Sequence, residues 1–271
     1  MPDLARPTGF LDYPRPLAFA HRGGAGHFPE NSWRAFEHAV GLGYAYLETD
    51  AHATADGHVV AFHDKRLDRV TDAAGAIARL PWATVSAARI DGTEPIPLLA
   101  DLISAWPDVR FNIDLKDEPA IGPVAEVVRR TAAWDRVCLV SFSGRRLAAV
   151  RKALDRPVCT ATSPAEIGLL RYGSSPAGLA RLTGRFARLG IGCAQVPAGL
   201  VTPRFMRRAH AAGLQVHAWT VNDAAEMTRL LDLGTDGIMT DNTVTLREVL
   251  RERGGWHPRP GALPEGNPAA P

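Results

Sequence analysis

From Leu17 to Leu250 the chain alternates between short β-type runs and amphipathic helical stretches. Eight runs read as strands: Leu17–Ala20, Tyr44–Asp50, Arg110–Leu115, Arg136–Ser141, Val158–Ala161, Gly192–Val196, Gln215–Thr220 and Asp236–Thr240. Helical patterns lie between and after them: Ser32–Leu42, Leu98–Ala105, Ala120–Thr131, Arg145–Leu154, Ala165–Arg171, Pro203–Ala212, Ala224–Leu233 and Thr243–Arg251. Such alternation argues for parallel strands in an α/β fold. Eight strand–helix units in about 250 residues is the size of a (β/α)8 TIM barrel. A doubly wound open sheet shares the periodicity and stays as the alternative.

One insertion follows the second strand. His58–His63 reads as the return arm of a hairpin turned at Ala55-Asp56-Gly57, and Lys65–Pro97 runs on to the next unit. That stretch is too short for a second domain. Gly173–Gly190 reads as one helix and a loop. Residues 1–16 form an N-terminal extension, 17–252 the barrel domain, and 253–271 a tail of Gly, Pro and Ala expected to be disordered.

Charge narrows the partners. The 31 Lys and Arg residues nearly balance 29 Asp and Glu, and they are scattered, so no nucleic-acid footprint exists. The segment Met1–Pro16 lacks the apolar run of a secretory signal, and no stretch reaches membrane-spanning length. Cys138, Cys159 and Cys193 are odd in number with no Cys-x-x-Cys spacing, which reads as free thiols. Together these features predict a cytoplasmic protein. Nothing in the sequence sets an oligomeric state.

Active-site groups of barrels project from the C-terminal ends of the strands. Glu48 and Asp50 stand two apart on one predicted strand, so both side chains point the same way. Like charges held that close repel, and a hard divalent cation taking oxygen ligands removes the conflict. His21 and Arg22 follow the first strand, and His63 and Asp64 the hairpin arm. Asn112, Asp114 and Lys116 share one parity on the third strand, Gln195 ends the sixth, and Trp219 ends the seventh. These types suit phosphate-ester chemistry. A cation on Glu48, Asp50 and Asp114 would neutralise non-bridging oxygens, assisted by Arg22 and Lys116. His21 and His63 have the pKa range of an acid–base pair, and Trp219 and Gln195 would contact substrate. Asn31 reads as a helix cap, Glu30 as support for the site, and His217 and Asp241 as structural hydrogen-bonding groups.

The string His21-Arg22-Gly23, Pro29-Glu30-Asn31-Ser32, Glu48-Thr49-Asp50, Asp56-Gly57 and His63-Asp64 resembles the glycerophosphodiester phosphodiesterase family. Asn112-Ile113-Asp114-Leu115-Lys116, Trp219-Thr220-Val221-Asn222 and Asp236-Gly237-Ile238-Met239-Thr240-Asp241 continue the likeness in the same order. The resemblance implies a (β/α)8 barrel and metal-assisted hydrolysis of glycerophosphodiesters to glycerol 3-phosphate and an alcohol. It implies His21 and His63 as general acid and base. It also implies one cation, Mg²⁺ or Ca²⁺ with Mn²⁺ as a further candidate, on Glu48, Asp50 and Asp114. The family commonly carries Glu at the third of these positions. Attack by a neighbouring substrate hydroxyl and attack by water both remain open. A lysophospholipase D-like activity and a non-catalytic phosphodiester-binding role are the rival readings.

Overall fold

The computed structural model describes residues 9–173 and 175–262. Eight parallel strands make the barrel: β1 Leu17–Ala20, β2 Tyr46–Ala53, β3 Arg110–Leu115, β4 Val137–Val140, β5 Cys159–Ala161, β6 Ile191–Pro197, β7 Gln215–Trp219 and β8 Gly237–Thr240. Neighbours in sequence are neighbours in space, and β1 pairs with both β8 and β2. That double pairing closes the sheet and rules out the open alternative. Closure leaves no free edge in the ring of staves.

Helices Trp33–Gly41, Leu99–Ala105, Ile121–Arg130, Gly144–Ala153, Pro164–Tyr172, Pro176–Leu189, Pro203–Ala211, Ala224–Asp232 and Thr243–Glu252 follow the strands. Local chemistry sets several of their starts. Ser32, Ser143, Ser163, Thr202 and Asp223 each accept a backbone N–H three residues on, satisfying a donor the first turn leaves unpaired. The Gly173–Gly190 region is mostly one long helix, and residue 174 lies outside the described residues.

Apolar packing occupies two layers. Phe36, Leu47, Phe111, Val128, Leu139, Val216 and Leu230 belong to the main core between staves and helices. Inside the barrel, Phe10, Phe19, Tyr46, the three cysteines and Met239 fill the axis. Phe10 comes from the N-terminal extension, whose segment from Gly9 to Pro16 lies under the N-terminal ends of the strands. There the Tyr46 hydroxyl donates to the Phe10 carbonyl at 2.5 Å. At the other terminus, Trp256 packs edge-on against Tyr44, and Arg259 pairs with Asp108 at 2.5 Å. Residues 254–262, read from composition as disordered, are therefore anchored to the barrel. Residues 263–271 lie outside the described residues.

The second strand differs from its expected bounds. It begins at Tyr46 and continues to Ala53, because the antiparallel arm Val59–Ala61 pairs with its last three residues and carries it past the rim. The insertion after that arm has a small core of its own, including Val60, Phe62, Leu67, Ile77 and Ile90. This core fixes His63, Asp64 and Arg69 above the barrel mouth.

Candidate active site

The turn after β1 starts the site. His21–Gly23 form one 3-10 turn in which Arg22 takes a left-handed conformation, with φ 50° and ψ 35°. Gly23 follows at φ 82°, and a Cβ there would meet the backbone nitrogen of Phe36 at 2.9 Å. Only glycine fits both the dihedral and the close approach. The turn aims the Arg22 backbone N–H at Glu48 Oε2, 3.0 Å away.

Glu48 and Asp50 face inward from β2, and Asp50 lies in register with Asp114 on β3. All three acids are buried. Burial, and then the charge of Asp50, pushes the Glu48 carboxyl up to about 7. Burial would raise Asp50 too, but Lys116 and Arg22 outweigh it and hold the group below the usual carboxylate range. The Lys116 ammonium sits 2.8 Å from both Asp50 Oδ1 and Asp114 Oδ2. Even so, burial leaves Asp114 raised. Burial works against the charge of Lys116, yet its two acids shift its pKa upward.

Each site histidine is held at Nδ1 by an acid. His21 Nδ1 lies 2.7 Å from Asp241 Oδ1, and its Nε2 lies 3.8 Å from Glu48 Oε2. Burial opposes protonation of His21, but Glu48 and Asp241 prevail and raise its pKa. His63 Nδ1 lies 2.7 Å from Asp64 Oδ1. An Nδ1–H donated to a carboxylate leaves Nε2 as the nitrogen that exchanges protons. Arg69 clamps Asp64 at 2.5 Å and Glu30 at 2.5 Å, and Arg22 Nη1 donates to Glu30 at 3.1 Å. Through this ladder the insertion is tied to the turn after β1. The Arg69 hydrogen bond leads the effects that lower Asp64 to about 2.

The donor set fits a hard cation in kind. Three buried carboxylates offer oxygens, and Asp114 Oδ1 is buried without a hydrogen-bond partner. The three acids do not, however, converge as a trio within 4.8 Å among the described residues, and Lys116 stands between Asp50 and Asp114. A cation on all three would share the site with that ammonium.

The structure thus brings His21, Arg22, Glu48, Asp50, Asp114 and Lys116 into one network, with His63 joined through the arginine ladder. Gln195 and Trp219 stand apart from it. Gln195 exchanges amide hydrogen bonds with Asn112 at 2.7 and 3.3 Å, and Trp219 stacks edge-on against Phe142 with centroids 5.6 Å apart. Both line a cavity of about 360 Å³ with Phe142, Ile167, Tyr172 and Leu200. A larger cleft of about 780 Å³ lies at the opposite end, beside Leu11, Gly192 and Gly213, away from all the titratable groups just described.

Some assignments change. The helix cap is Ser32, whose hydroxyl accepts from Ala35. Asn31, expected in that role, is buried at φ 56°, accepts from Thr49 at 2.7 Å and donates to Asp50 at 3.0 Å. Asp241 orients His21 and is itself held by Asn222 Nδ2 at 2.8 Å. Its place just after β8, where barrel sites gather, was the available signal. Arg69 carried no such signal. His52, unassigned from sequence, bridges Asp117 at 2.7 Å and the His63 carbonyl at 3.2 Å.

A closed (β/α)8 barrel with acid-held histidines and buried carboxylates at its mouth defines a hydrolase-like site. A family model for the glycerophosphoryl diester phosphodiesterase family matches residues 21–245. A Mycobacterium tuberculosis protein named "Probable glycerophosphodiester phosphodiesterase 2" is 41% identical over 263 residues, covering 94% of this chain and 99% of its own length. The human lysophospholipase D GDPD1 is 29% identical over 273 residues, covering 85% of each chain. An Oleispira antarctica phosphodiesterase solved with its product sn-glycerol-3-phosphate shares the fold at TM-score 0.74 and 23% identity, over 88% of this chain and 97% of that one. The chain belongs to the glycerophosphoryl diester phosphodiesterase family. No helix among the described residues is long and apolar enough to cross a membrane.

Proposed function

We propose that the protein hydrolyses glycerophosphodiesters to glycerol 3-phosphate and an alcohol, with a divalent cation held by Glu48, Asp50 and Asp114. The observation that carries this reading is the pair of histidines, each fixed at Nδ1 by a carboxylate, beside the buried acids. When bound, the cation (Mg²⁺, Ca²⁺ or Mn²⁺) supplies Lewis-acid charge at the phosphate. Arg22 and Lys116 add fixed positive charge there. The Nε2 atoms of His21 and His63 take a proton from the nucleophile and give one to the leaving alkoxide. A protein that only bound phosphodiesters would need neither oriented imidazole. The three cysteines are buried and form no disulfide, which suits a reducing cytoplasm. Release of glycerol 3-phosphate from glycerophosphocholine, glycerophosphoethanolamine and glycerophosphoglycerol tests this. EDTA should stop it and an added cation restore it. No release with any cation refutes the proposal.

A second reading rests on the cavity beside Trp219. Its mouth carries two conspicuously exposed aromatics, Phe142 at 62% and Tyr172 at 72%. An apolar trough of this kind, lined by Trp219 at the C-terminal end of β7, suits a lysophospholipid, whose acyl chain would lie along Phe142 and Leu200. Each methylene buried there is worth about 0.8 kcal/mol. KM for lysophospholipids should then fall as the acyl chain lengthens, and Phe142→Asp should reverse that trend while sparing glycerophosphocholine turnover. A KM independent of chain length removes this reading.

A further inference from the structure

The three cysteines are far apart in sequence, yet β4, β5 and β6 bring them together on the barrel axis. Cys138 lies in register with Cys159, and Cys193 follows on the next stave. All three thiols are buried, and their sulfurs lie within 4.8 Å of one another. The Cys138 and Cys193 sulfurs are 3.9 Å apart. That is nearly twice a disulfide bond of about 2.05 Å. It is close to the tetrahedron edge of about 3.8 Å that follows from zinc–sulfur bonds of about 2.3 Å.

A second observation points to the same place. His217 is fully buried on the adjacent strand β7, in register with Gln195 two residues past Cys193, with its ring nitrogens just outside the sulfur cluster. Its Nε2 lies 3.1 Å from Gln215 Oε1, and Gln215 Nε2 donates to the Leu11 carbonyl, which fixes the orientation of that amide. The Gln215 oxygen is an acceptor, so Nε2 carries the proton and Nδ1 the lone pair. Nδ1 is buried with no hydrogen-bond partner. A histidine whose distal N–H is held by an oxygen acceptor has the protonation state of a metal ligand. Gln195 Nε2 lies 3.7 Å from the Cys193 sulfur, an N–H···S contact that favours a thiolate.

We propose that Cys138, Cys159 and Cys193 hold a structural zinc inside the barrel, separate from the carboxylate site at its mouth, and that His217 turns its free Nδ1 inward as the fourth ligand when the ion binds. Three soft sulfurs and one imidazole nitrogen match the closed tetrahedral sites that zinc takes. Binding replaces three thiol protons with one Zn²⁺, and the protons leave to solvent as the chain folds around the ion. Phe10 and Tyr46 pack in the same buried cluster as the cysteines, so the ion would enter as the chain folds.

The test begins with the full-length protein made in zinc-supplemented medium and stripped of mouth-bound cations by EDTA. About one zinc per chain should remain by elemental analysis. Protein refolded with Co²⁺ and then treated with EDTA should show thiolate-to-cobalt charge-transfer absorption. Cys193→Ala and His217→Gln should each lower the retained zinc at least tenfold. The wild type alone also decides the matter. Unfolding it should release zinc together with three reactive thiols. Overturning results are zinc-free protein with three thiols per chain that also takes up no Co²⁺ on refolding, or zinc that persists in a Cys138/Cys159/Cys193 triple alanine variant.

Discussion

Replacing Glu48 with Gln in cation-free protein should flatten the pH dependence of stability. The wild-type carboxyl is raised from an ordinary 4.5 to about 7, first by burial and then by Asp50. A carboxyl whose folded pKa is raised binds its proton more tightly in the folded state. Its destabilising effect is absent below pH 4.5 and grows as pH rises to about 7. A shift of that size corresponds to about 3 kcal/mol lost across the window. Gln is isosteric, can still accept from the Arg22 N–H, and does not ionise. His21 responds in the same sense: Glu48 supports its raised pKa, and its own stabilisation is lost as pH climbs through the folded value. Both changes therefore flatten the variant's profile. Urea unfolding in EDTA at pH 4.5, 6 and 8 measures the difference between the two proteins. Glu48→Gln should be more stable than wild type at pH 8 by up to about 3 kcal/mol and nearly equal at pH 4.5. Adding Mg²⁺ or Ca²⁺ should stabilise wild type and much less the variant. Parallel profiles would refute the claim that burial and Asp50 hold this carboxyl up.

Asp241→Asn should keep the fold but lower kcat by about 10- to 100-fold, because an amide can present its NH2 to His21 Nδ1 and hold the opposite tautomer; the steady-state pH profile checks this. Asn31→Ala should cost about 2–4 kcal/mol in urea unfolding, since it removes two buried hydrogen bonds and places alanine at φ 56°. Lys116→Met should destabilise cation-free protein by about 3–5 kcal/mol by leaving Asp50 and Asp114 without their shared ammonium. Added divalent cation should recover much of that loss; unchanged stability without cation would remove Lys116 as their counter-charge. Arg69→Ala should change stability by less than about 1 kcal/mol, because the pairs it makes are partly exposed. Turnover should nonetheless fall as Asp64 and His63 lose their anchor.

The strand–helix alternation by itself determined how many staves there are, because side-chain periodicity is a local property that burial on one or two faces imposes on the chain. The same periodicity put Glu48 with Asp50, and Asp114 with Lys116, on shared faces. Local periodicity could not close the barrel. That depends on the pairing of Phe19 with Tyr46 and Leu17 with Gly237, contacts between residues that neither spacing nor propensity joins. Nor could it extend β2 to Ala53, since the extra residues are held by a hairpin partner rather than by their own pattern. The partners of the site histidines divide along the same line. Asp64 is adjacent to His63 in sequence, whereas Asp241 reaches His21 across 220 residues, and Arg69 reaches Glu30 across 39. Charge sharing was the last thing to emerge. Whether Glu48 or Asp50 keeps its proton near neutrality follows from where Lys116 and Arg22 come to rest, and only the folded barrel sets those distances.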